Sequence, residues 1–275
     1  MNKLISIALS VMLALSMFTG CSSKRAEEQA DAPTSYIGII SALQNEVDLL
    51  LKEAEIERTD TIGGVDYHVG KLCGKDVVIV KAGIGKSLSA SCTAAMLNNY
   101  DISAVYFTGI AGGVGDETEV LDEVIATSLV QHDYGNITND GFVWTAGNEG
   151  APGEERKEGD NGYYPCDEDL VDLAYRSAVK VVGEEHVFKG VIASGDQFIE
   201  SEEYVKLLQD EFDALACEME GSSIALVCMQ YDVPFIVIRA MSDKADGKAH
   251  ESFDNMADIA ADNSSRIIMQ MLKDE

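Results

Sequence analysis

The chain has 275 residues and a formal net charge of −28, since 48 acidic side chains face only 20 basic ones. This excess of negative charge repels a phosphate backbone, so it argues against a nucleic-acid-binding protein and disfavours a strongly anionic substrate. Residues 36–275 are long enough for one large α/β domain and suit it better than two small ones.

The N-terminal segment has the pattern of an export signal. Lys3 precedes an apolar run, Leu4–Phe18, which is too short to span a bilayer comfortably and which leads to Cys21. This pattern resembles a bacterial lipoprotein signal peptide over residues 1–20, with Cys21 as the lipidated first residue of the mature protein; an uncleaved anchor helix is the alternative. Residues 21–35 are small and charged and predict a flexible tether. We therefore expect an exported protein anchored to the membrane by lipid.

Short apolar runs rich in β-branched residues alternate with helical patterns along the rest of the chain. The predicted strands are residues 36–40, 63–70, 76–80, 102–108, 123–131, 187–193 and 234–240. The predicted helices are residues 44–54, 87–99, 170–182, 201–209, 219–229 and 252–273. Residues 133–165 lack a clear period and are predicted to be a long surface excursion or a lid. The alternation predicts a single α/β domain with a central mixed, mostly parallel β-sheet flanked by helices.

Glycine-rich segments follow two of the predicted strands, but neither has the spacing of a nucleotide-phosphate loop. The Gly83-Ile-Gly-Lys-Ser87 segment lacks the first glycine of a P-loop, and residues 109–115 contain no G-x-G-x-x-G. A tight turn from strand to helix is the simpler interpretation of each segment. The five cysteines after Cys21 are widely spaced without C-x-x-C, so they predict neither a disulfide framework nor a zinc site.

Four acidic residues are predicted at the carboxyl ends of the strands, which is where ligands of such sheets bind. They are Glu46, Glu218, Glu220 and Asp243. Each alone is also explained as a helix-terminus or turn acid. Together with the nearby apolar residues Ile84, Phe198, Met219 and Phe253, they predict a dry pocket with carboxyl groups, suited to acid/base chemistry on a neutral, flat, hydroxylated molecule. No nucleophile elbow appears, and His132 and His250 lack metal-ligand companions, so we expect neither a metal nor a cofactor.

Six segments then resemble, in order, the motifs of the 5′-methylthioadenosine/S-adenosylhomocysteine nucleosidases. They are residues 37–47 (IGIISALQNEV), 81–86 (KAGIGK), 108–113 (TGIAGG), 194–199 (SGDQFI), 217–221 (CEMEG) and 239–246 (RAMSDKAD). The family belongs to the purine nucleoside phosphorylase and uridine phosphorylase superfamily. The resemblance implies a single nucleoside phosphorylase-like domain over residues 36–275, a nucleoside substrate and a homodimer.

The resemblance also assigns roles to individual residues. Asp243 matches the general acid that protonates N7 of adenine, with Ser242 positioning it, and Glu46 matches the acid that activates the attacking water. Glu220 matches the residue that binds the ribose hydroxyls, and Met219 packs against the sugar. Phe198 matches the residue that stacks on adenine, and the backbone of Ile199 matches the position that contacts the edge of the base. Ile84, Leu43 and Phe253 match the apolar wall for the 5′-thio substituent. Ala111 and Gly112 match backbone positions near the substrate.

Three features depart from the family pattern. Ile110 stands where a small polar residue is common, residues 133–165 do not match the segment that covers the 5′ side from the partner subunit, and the usual members are cytoplasmic. Three alternatives therefore stay open: a nucleoside phosphorylase, with Lys86 as one cation for phosphate; a lipoprotein that binds nucleosides without cleaving them; and an enzyme that cleaves adenosine or another purine nucleoside.

Overall fold

The computed structural model describes residues 35–145 and 161–275. The predicted signal peptide, the lipidation site Cys21, nearly all of the predicted tether and part of the 133–165 excursion lie outside these residues.

The described residues form strands and helices in alternation. The strands are β1 (Tyr36–Ser41), β2 (Glu55–Ile62), β3 (Val65–Leu72), β4 (Lys75–Lys81), β5 (Ile102–Gly113), β6 (Glu123–Gln131), β7 (Gly135–Thr138), β8 (Gly141–Trp144), β9 (Tyr163–Pro165), β10 (Val187–Ser194), β11 (Ala214–Glu218) and β12 (Phe235–Asp243). The helices are α1 (Gln44–Glu53), α2 (Lys86–Asn99), α3 (Glu168–Val182), α4 (Glu202–Phe212), α5 (Gly221–Gln230) and α6 (Ala249–Asp274). Within the described ranges, no helix is long and apolar enough to cross a membrane.

The main sheet is mixed, with parallel pairing at its centre. Its order is β11-β10-β6-β12-β5-β1-β4-β3-β2, and β9 pairs with β6. The pairs within β12-β5-β1-β4 and within β6-β10-β11 are parallel, whereas β2, β3 and β9 are antiparallel additions. An antiparallel contact between β11 and β5 brings the far end of the sheet back to its middle. The predicted α/β fold class is confirmed.

Strand β12 lies at the centre of the fold, and its sequence explains why. The residues from Phe235 to Ile238 are apolar β-formers that pack well on a pleated surface. All nine residues of β12 are buried, because β5 and β6 flank the strand and α6 packs against it. A polar side chain on this strand must therefore find its partners inside the protein.

The sequence analysis missed five strands: β7, β8 and β9 in the 133–165 segment, and β2 and β11 elsewhere in the described chain. Strand β2 has the polar sequence EIERTDTI and is mostly exposed, so it lacks the apolar alternation that predicts a strand. Strand β11 has only five residues, too few to show a period, and it forms because β10 and β5 pair with it. Tertiary pairing, rather than local propensity, produces both strands.

Other boundaries also differ from the prediction. The glycine run after Thr108 is not a turn into a helix: β5 continues through it to Gly113, where Gly112 pairs with Cys217. In the 133–165 segment, β7 and β8 form a separate hairpin. Helix α5 begins at Gly221 rather than at Met219, so the two residues before it are free to face the site.

Candidate active site

A cavity of about 410 Å³ opens at the carboxyl ends of the central strands. Every catalytic or substrate-contacting residue predicted from the sequence lines it: Leu43, Glu46, Ile84, Ala111, Gly112, Phe198, Ile199, Met219, Glu220, Ser242, Asp243 and Phe253. The structure therefore brings together segments that are up to about two hundred residues apart in the chain, as parallel strands do when they end at one edge of a sheet.

The carboxylate of Glu46 is held by backbone groups. Its Oε2 accepts hydrogen bonds from the N–H groups of Ala42 (2.8 Å) and Leu43 (2.7 Å), and its Oε1 accepts one from Ile110 N–H (2.9 Å). Gly109 provides the space, because a Cβ there would lie 2.3 Å from Glu46 Oε1. Glu46 thus links the β1–α1 turn to β5, and its orientation in the cavity is set by the main chain.

Asp243 is buried at the end of strand β12. Its Oδ2 accepts a hydrogen bond from the Ser242 hydroxyl (2.8 Å), and its Oδ1 accepts one from Ala245 N–H (2.8 Å). Burial raises the pKa of Asp243 above its ordinary value, although these two hydrogen bonds oppose the shift. A buried carboxyl group with a raised pKa is suited to donating a proton.

Arg239 pairs with two acids and not with Asp243. Four residues of extended strand put Arg239 about 13 Å from Asp243 along β12. In the structure its Nη2 lies 2.6 Å from Glu218 Oε2 and 3.3 Å from Glu220 Oε2, and its guanidinium stacks 3.8 Å from the centre of the Phe107 ring. The sequence offered one signal for this buried ion pair: Arg239 is the only cation in the apolar β12 sequence FIVIRAMSD, so it needs an acidic partner inside the protein.

Glu218 fixes the junction between β11 and α5. Its carboxylate accepts hydrogen bonds from the Ser194 hydroxyl and from the N–H groups of Glu220 (3.0 Å) and Gly221 (2.8 Å), besides its contact with Arg239. With so many partners inside the protein, this acid has a structural task. It holds Met219 and Glu220 at the edge of the cavity.

Glu220 has fewer partners than Glu218. Its Oε1 accepts a hydrogen bond from Gly85 N–H (2.8 Å), and its Oε2 makes the longer contact with Arg239. Burial and the neighbouring Glu218 raise the pKa of Glu220 to about 8, while Arg239 opposes the shift. Glu220 lines the cavity, so its carboxyl oxygens are within reach of a hydroxylated ligand.

Aromatic side chains form the mouth of the cavity. Phe198 stacks on His250, with ring centres 4.9 Å apart and planes 15° from parallel, and meets Phe253 edge-on at 6.0 Å. The sequence analysis considered His250 only as a metal ligand and missed this position. Phe198 is 42% exposed and Ile84 is 53% exposed, so apolar surface stands open at the entrance.

The described residues contain no group of three or more His, Cys, Asp or Glu side chains arranged to hold a metal ion. The cysteines after Cys21 are free thiols, of which Cys73 is exposed and the others are buried. Lys86, the cation considered for phosphate binding, forms an ion pair with Asp133. Neither lysine nor arginine is among the described residues that line the cavity.

Comparison with known proteins agrees with this geometry. Residues 36–273 match the family model of the phosphorylase superfamily. A 5′-methylthioadenosine/S-adenosylhomocysteine nucleosidase of Bacillus thuringiensis (strain Al Hakam) is 35% identical over 239 residues, which are 86% of this chain and 98% of that protein.

Solved structures are similar as well. The nucleosidase of the same name from Neisseria meningitidis, in complex with methylthio-immucillin-A, matches 88% of this chain and 100% of its own, with a TM-score of 0.77 and 33% identity. The futalosine hydrolase of Helicobacter pylori matches 88% of this chain and 98% of its own, with a TM-score of 0.74 and 31% identity. The chain belongs to the phosphorylase superfamily and, within it, to the 5′-methylthioadenosine/S-adenosylhomocysteine nucleosidases, which are N-glycosyl hydrolases.

Proposed function

We propose that this protein hydrolyses the N-glycosidic bond of 5′-methylthioadenosine, S-adenosylhomocysteine or both, and releases adenine. The observation that carries the proposal is the pair of buried carboxyl groups, Glu46 and Asp243, in one cavity. They stand beyond β1 and on β12, the two strands that flank β5. Their environments differ, which is how two carboxyl groups take the separate roles of base and acid.

Asp243 protonates the leaving base. As the bond between C1′ and N9 breaks, its electron pair moves into the purine, and a proton from the carboxyl group to N7 lets adenine leave as a neutral molecule. The raised pKa of Asp243 keeps a fraction of the group protonated at a pH where an exposed aspartate is ionised. Ser242 orients the carboxyl group through its hydrogen bond.

Glu46 supplies the nucleophile. A water molecule held by its carboxylate adds to C1′ and gives a proton to Glu46, so the sugar gains a hydroxyl group. Glu220 binds the 2′ and 3′ hydroxyls through the oxygen atoms of its carboxyl group, which lines the cavity. Met219 packs against the sugar, and Ala111 and Gly112 place their backbone beside it.

The mouth residues bind the two ends of the nucleoside. Phe198 stacks on adenine, and the backbone of Ile199 contacts the edge of the base. Leu43, Ile84 and Phe253 form the apolar wall for the 5′ substituent. The similarity to a futalosine hydrolase means that other 5′ substituents belong in the assay, together with plain adenosine.

Hydrolysis is favoured over phosphorolysis by the charges around the cavity. Phosphate would need a cationic group to balance its charge. Among the described residues, Lys86 and Arg239 are already paired with acids, and the Lys244 ammonium donates to the backbone oxygens of Gly115 and Thr118. Glu46 would repel the anion on the side where the nucleophile enters.

The first prediction concerns catalysis. The chain lacking residues 1–21 should release adenine from 5′-methylthioadenosine at the same rate with and without phosphate. Asp243→Asn and Glu46→Gln should each lower kcat by about a hundredfold or more, because each removes a proton-transfer group. Two exposed acids provide controls: Glu53→Gln on α1, the helix that also carries Glu46, and Asp254→Asn on α6, the helix that follows β12, should retain the wild-type rate.

Two outcomes would contradict the proposal. Release that requires phosphate would make the protein a phosphorylase, and tight binding without release would make it a nucleoside-binding lipoprotein. Assays with S-adenosylhomocysteine, adenosine and futalosine, run in parallel, measure the preference for the 5′ substituent.

The second prediction concerns Glu220 and pH. The folded protein holds a proton on Glu220 up to about pH 8, whereas the unfolded chain loses it near 4.5. The folded state therefore binds more protons between these values, and this group makes the free energy of unfolding fall as pH rises through that window. Glu220→Gln should remove this contribution. Urea unfolding of both proteins at about pH 5 and about pH 8 measures it; equal losses of stability in the two proteins would refute it.

The third prediction concerns assembly as a homodimer, which the apolar surface near the mouth supports. Ile84 lines the cavity, and Ile137 and Phe142 line a second pocket that shares Phe198 with it; all three are exposed, as are Leu88 and Val143. Surfaces of this kind mark interfaces. Light scattering should give twice the mass of the mature chain, and Ile137→Asp should shift it toward the monomer, whereas Ile56→Asp on β2 should not. A monomeric wild-type protein would exclude the dimer.

The fourth prediction concerns the lipid anchor and export. If Cys21 carries the lipid, the full-length protein should sediment with membranes and incorporate labelled fatty acid. Cys21→Ala should lose the label and leave the membrane fraction. An unlabelled wild-type protein would rule out the anchor, and a membrane-bound Cys21→Ala variant would favour the uncleaved anchor helix.

A further inference from the structure

The end of strand β6 makes a set of contacts that the proposed chemistry does not use. The network consists of Lys86, Asp133 and Asp196, which come from the first residue of α2, the segment just after β6 and the β10–α4 loop. The Lys86 ammonium pairs with Asp133 Oδ1, and both side chains are mostly buried, at 16% and 12% exposed. Gln131 Oε1 lies 3.4 Å from the same ammonium.

Asp196 joins the two loops through its own backbone and side chain. Its Oδ1 accepts a hydrogen bond from Lys86 N–H (2.8 Å), and its N–H donates to Asp133 Oδ2 (2.9 Å). The three residues therefore close a ring in which each one contacts the other two. Burial alone would raise the pKa of Asp133, but Lys86 and the Asp196 N–H bring the pKa below its ordinary value.

Two of the segments that meet in this ring also contribute to the cavity. Gly85, next to Lys86, donates its N–H to Glu220 Oε1. Phe198 and Ile199 follow Asp196 by two and three residues and line the cavity. The ring thus connects the loop whose Gly85 N–H binds Glu220 to the loop that carries Phe198.

The His132 side chain packs against the β10–α4 loop at Gly195. The imidazole is buried, and its Nδ1 lies 3.1 Å from the Tyr204 hydroxyl. A Cβ on Gly195 would lie 2.3 Å from His132 Nε2, so only glycine lets the loop rest on this ring. Burial lowers the pKa of His132, which keeps this support neutral.

We propose that Lys86, Asp133 and Asp196 are positioning residues that hold the sugar-binding and base-binding loops in register and thereby set the affinity for the nucleoside. They do not touch the reacting atoms. The inference rests on the proposed function, in which Glu220 binds the ribose and Phe198 binds the base. Because Glu46 and Asp243 are held by other strands, loss of the ring should weaken binding and leave the chemical step nearly intact.

Asp133→Asn is the sharpest test. It retains an oxygen for the Asp196 N–H and removes the charge that pairs with Lys86. KM for the best nucleoside substrate should rise about tenfold with kcat within about twofold of wild type, as expected when one charge-assisted contact is lost. Lys86→Met should have the same effect, and the double variant should be no worse than either single variant.

The matched control is the exposed ion pair between Lys206 and Asp210 on α4, the helix that follows the base-binding loop. Asp210→Asn should leave both kinetic constants unchanged. Calorimetric titration with adenine gives a second readout that needs no turnover, and Asp133→Asn should bind adenine about tenfold more weakly.

The outcomes separate this inference from the proposed function. A wild-type protein that binds adenine but cleaves no nucleoside would overturn the function, while weaker adenine binding by Asp133→Asn would still support the ring. An active wild type whose Asp133→Asn variant keeps its KM and adenine affinity would overturn the inference. So would a fall in kcat at unchanged KM, because the ring would then act on the chemical step.

Discussion

The arrangement of the site depends on one buried cation. Arg239 projects from the most deeply buried strand, lies against Phe107 and pairs with Glu218 and Glu220. Without it, two carboxylates would face each other inside the protein; removing one partner of such a buried pair typically costs about 3–5 kcal/mol. Since Glu218 also binds the first N–H groups of α5, the position of β12 determines where that helix begins.

The four acids at this edge of the sheet have different partners and therefore different roles. Glu218 and Glu220 both line the cavity, but Glu218 is held by Ser194, Arg239 and the N–H groups of residues 220 and 221, whereas the Glu220 carboxyl group contacts Gly85 N–H and, at 3.3 Å, Arg239. Glu46 is oriented by three backbone N–H groups, and Asp243 is desolvated at the end of a strand. Four carboxyl groups at one sheet edge thus differ in environment, and these differences let identical chemical groups serve different functions.

The surface charge and the cavity fit the same kind of ligand. A chain with a net charge of −28 does not attract phosphate, and its described cavity lining contains no lysine or arginine. A neutral nucleoside needs neither. Its recognition depends on an aromatic platform, an apolar wall and carboxylate acceptors for hydroxyl groups, which are the features present at the strand ends.

The sequence by itself determined the fold class and predicted a set of residues that line one cavity in the structure, because apolar runs and ordered motifs are local patterns, and parallel strands bring their carboxyl ends to one edge. It did not determine β2, which is exposed, or β11, which is short, because both depend on pairing with neighbours. Nor did it show the partners of Arg239. This ion pair joins β12 to the β11–α5 junction, and the separation of two residues in the sequence does not give their distance in the folded protein. The tertiary structure decided these features, because buried charge must be neutralised wherever the packed strands place an opposite charge.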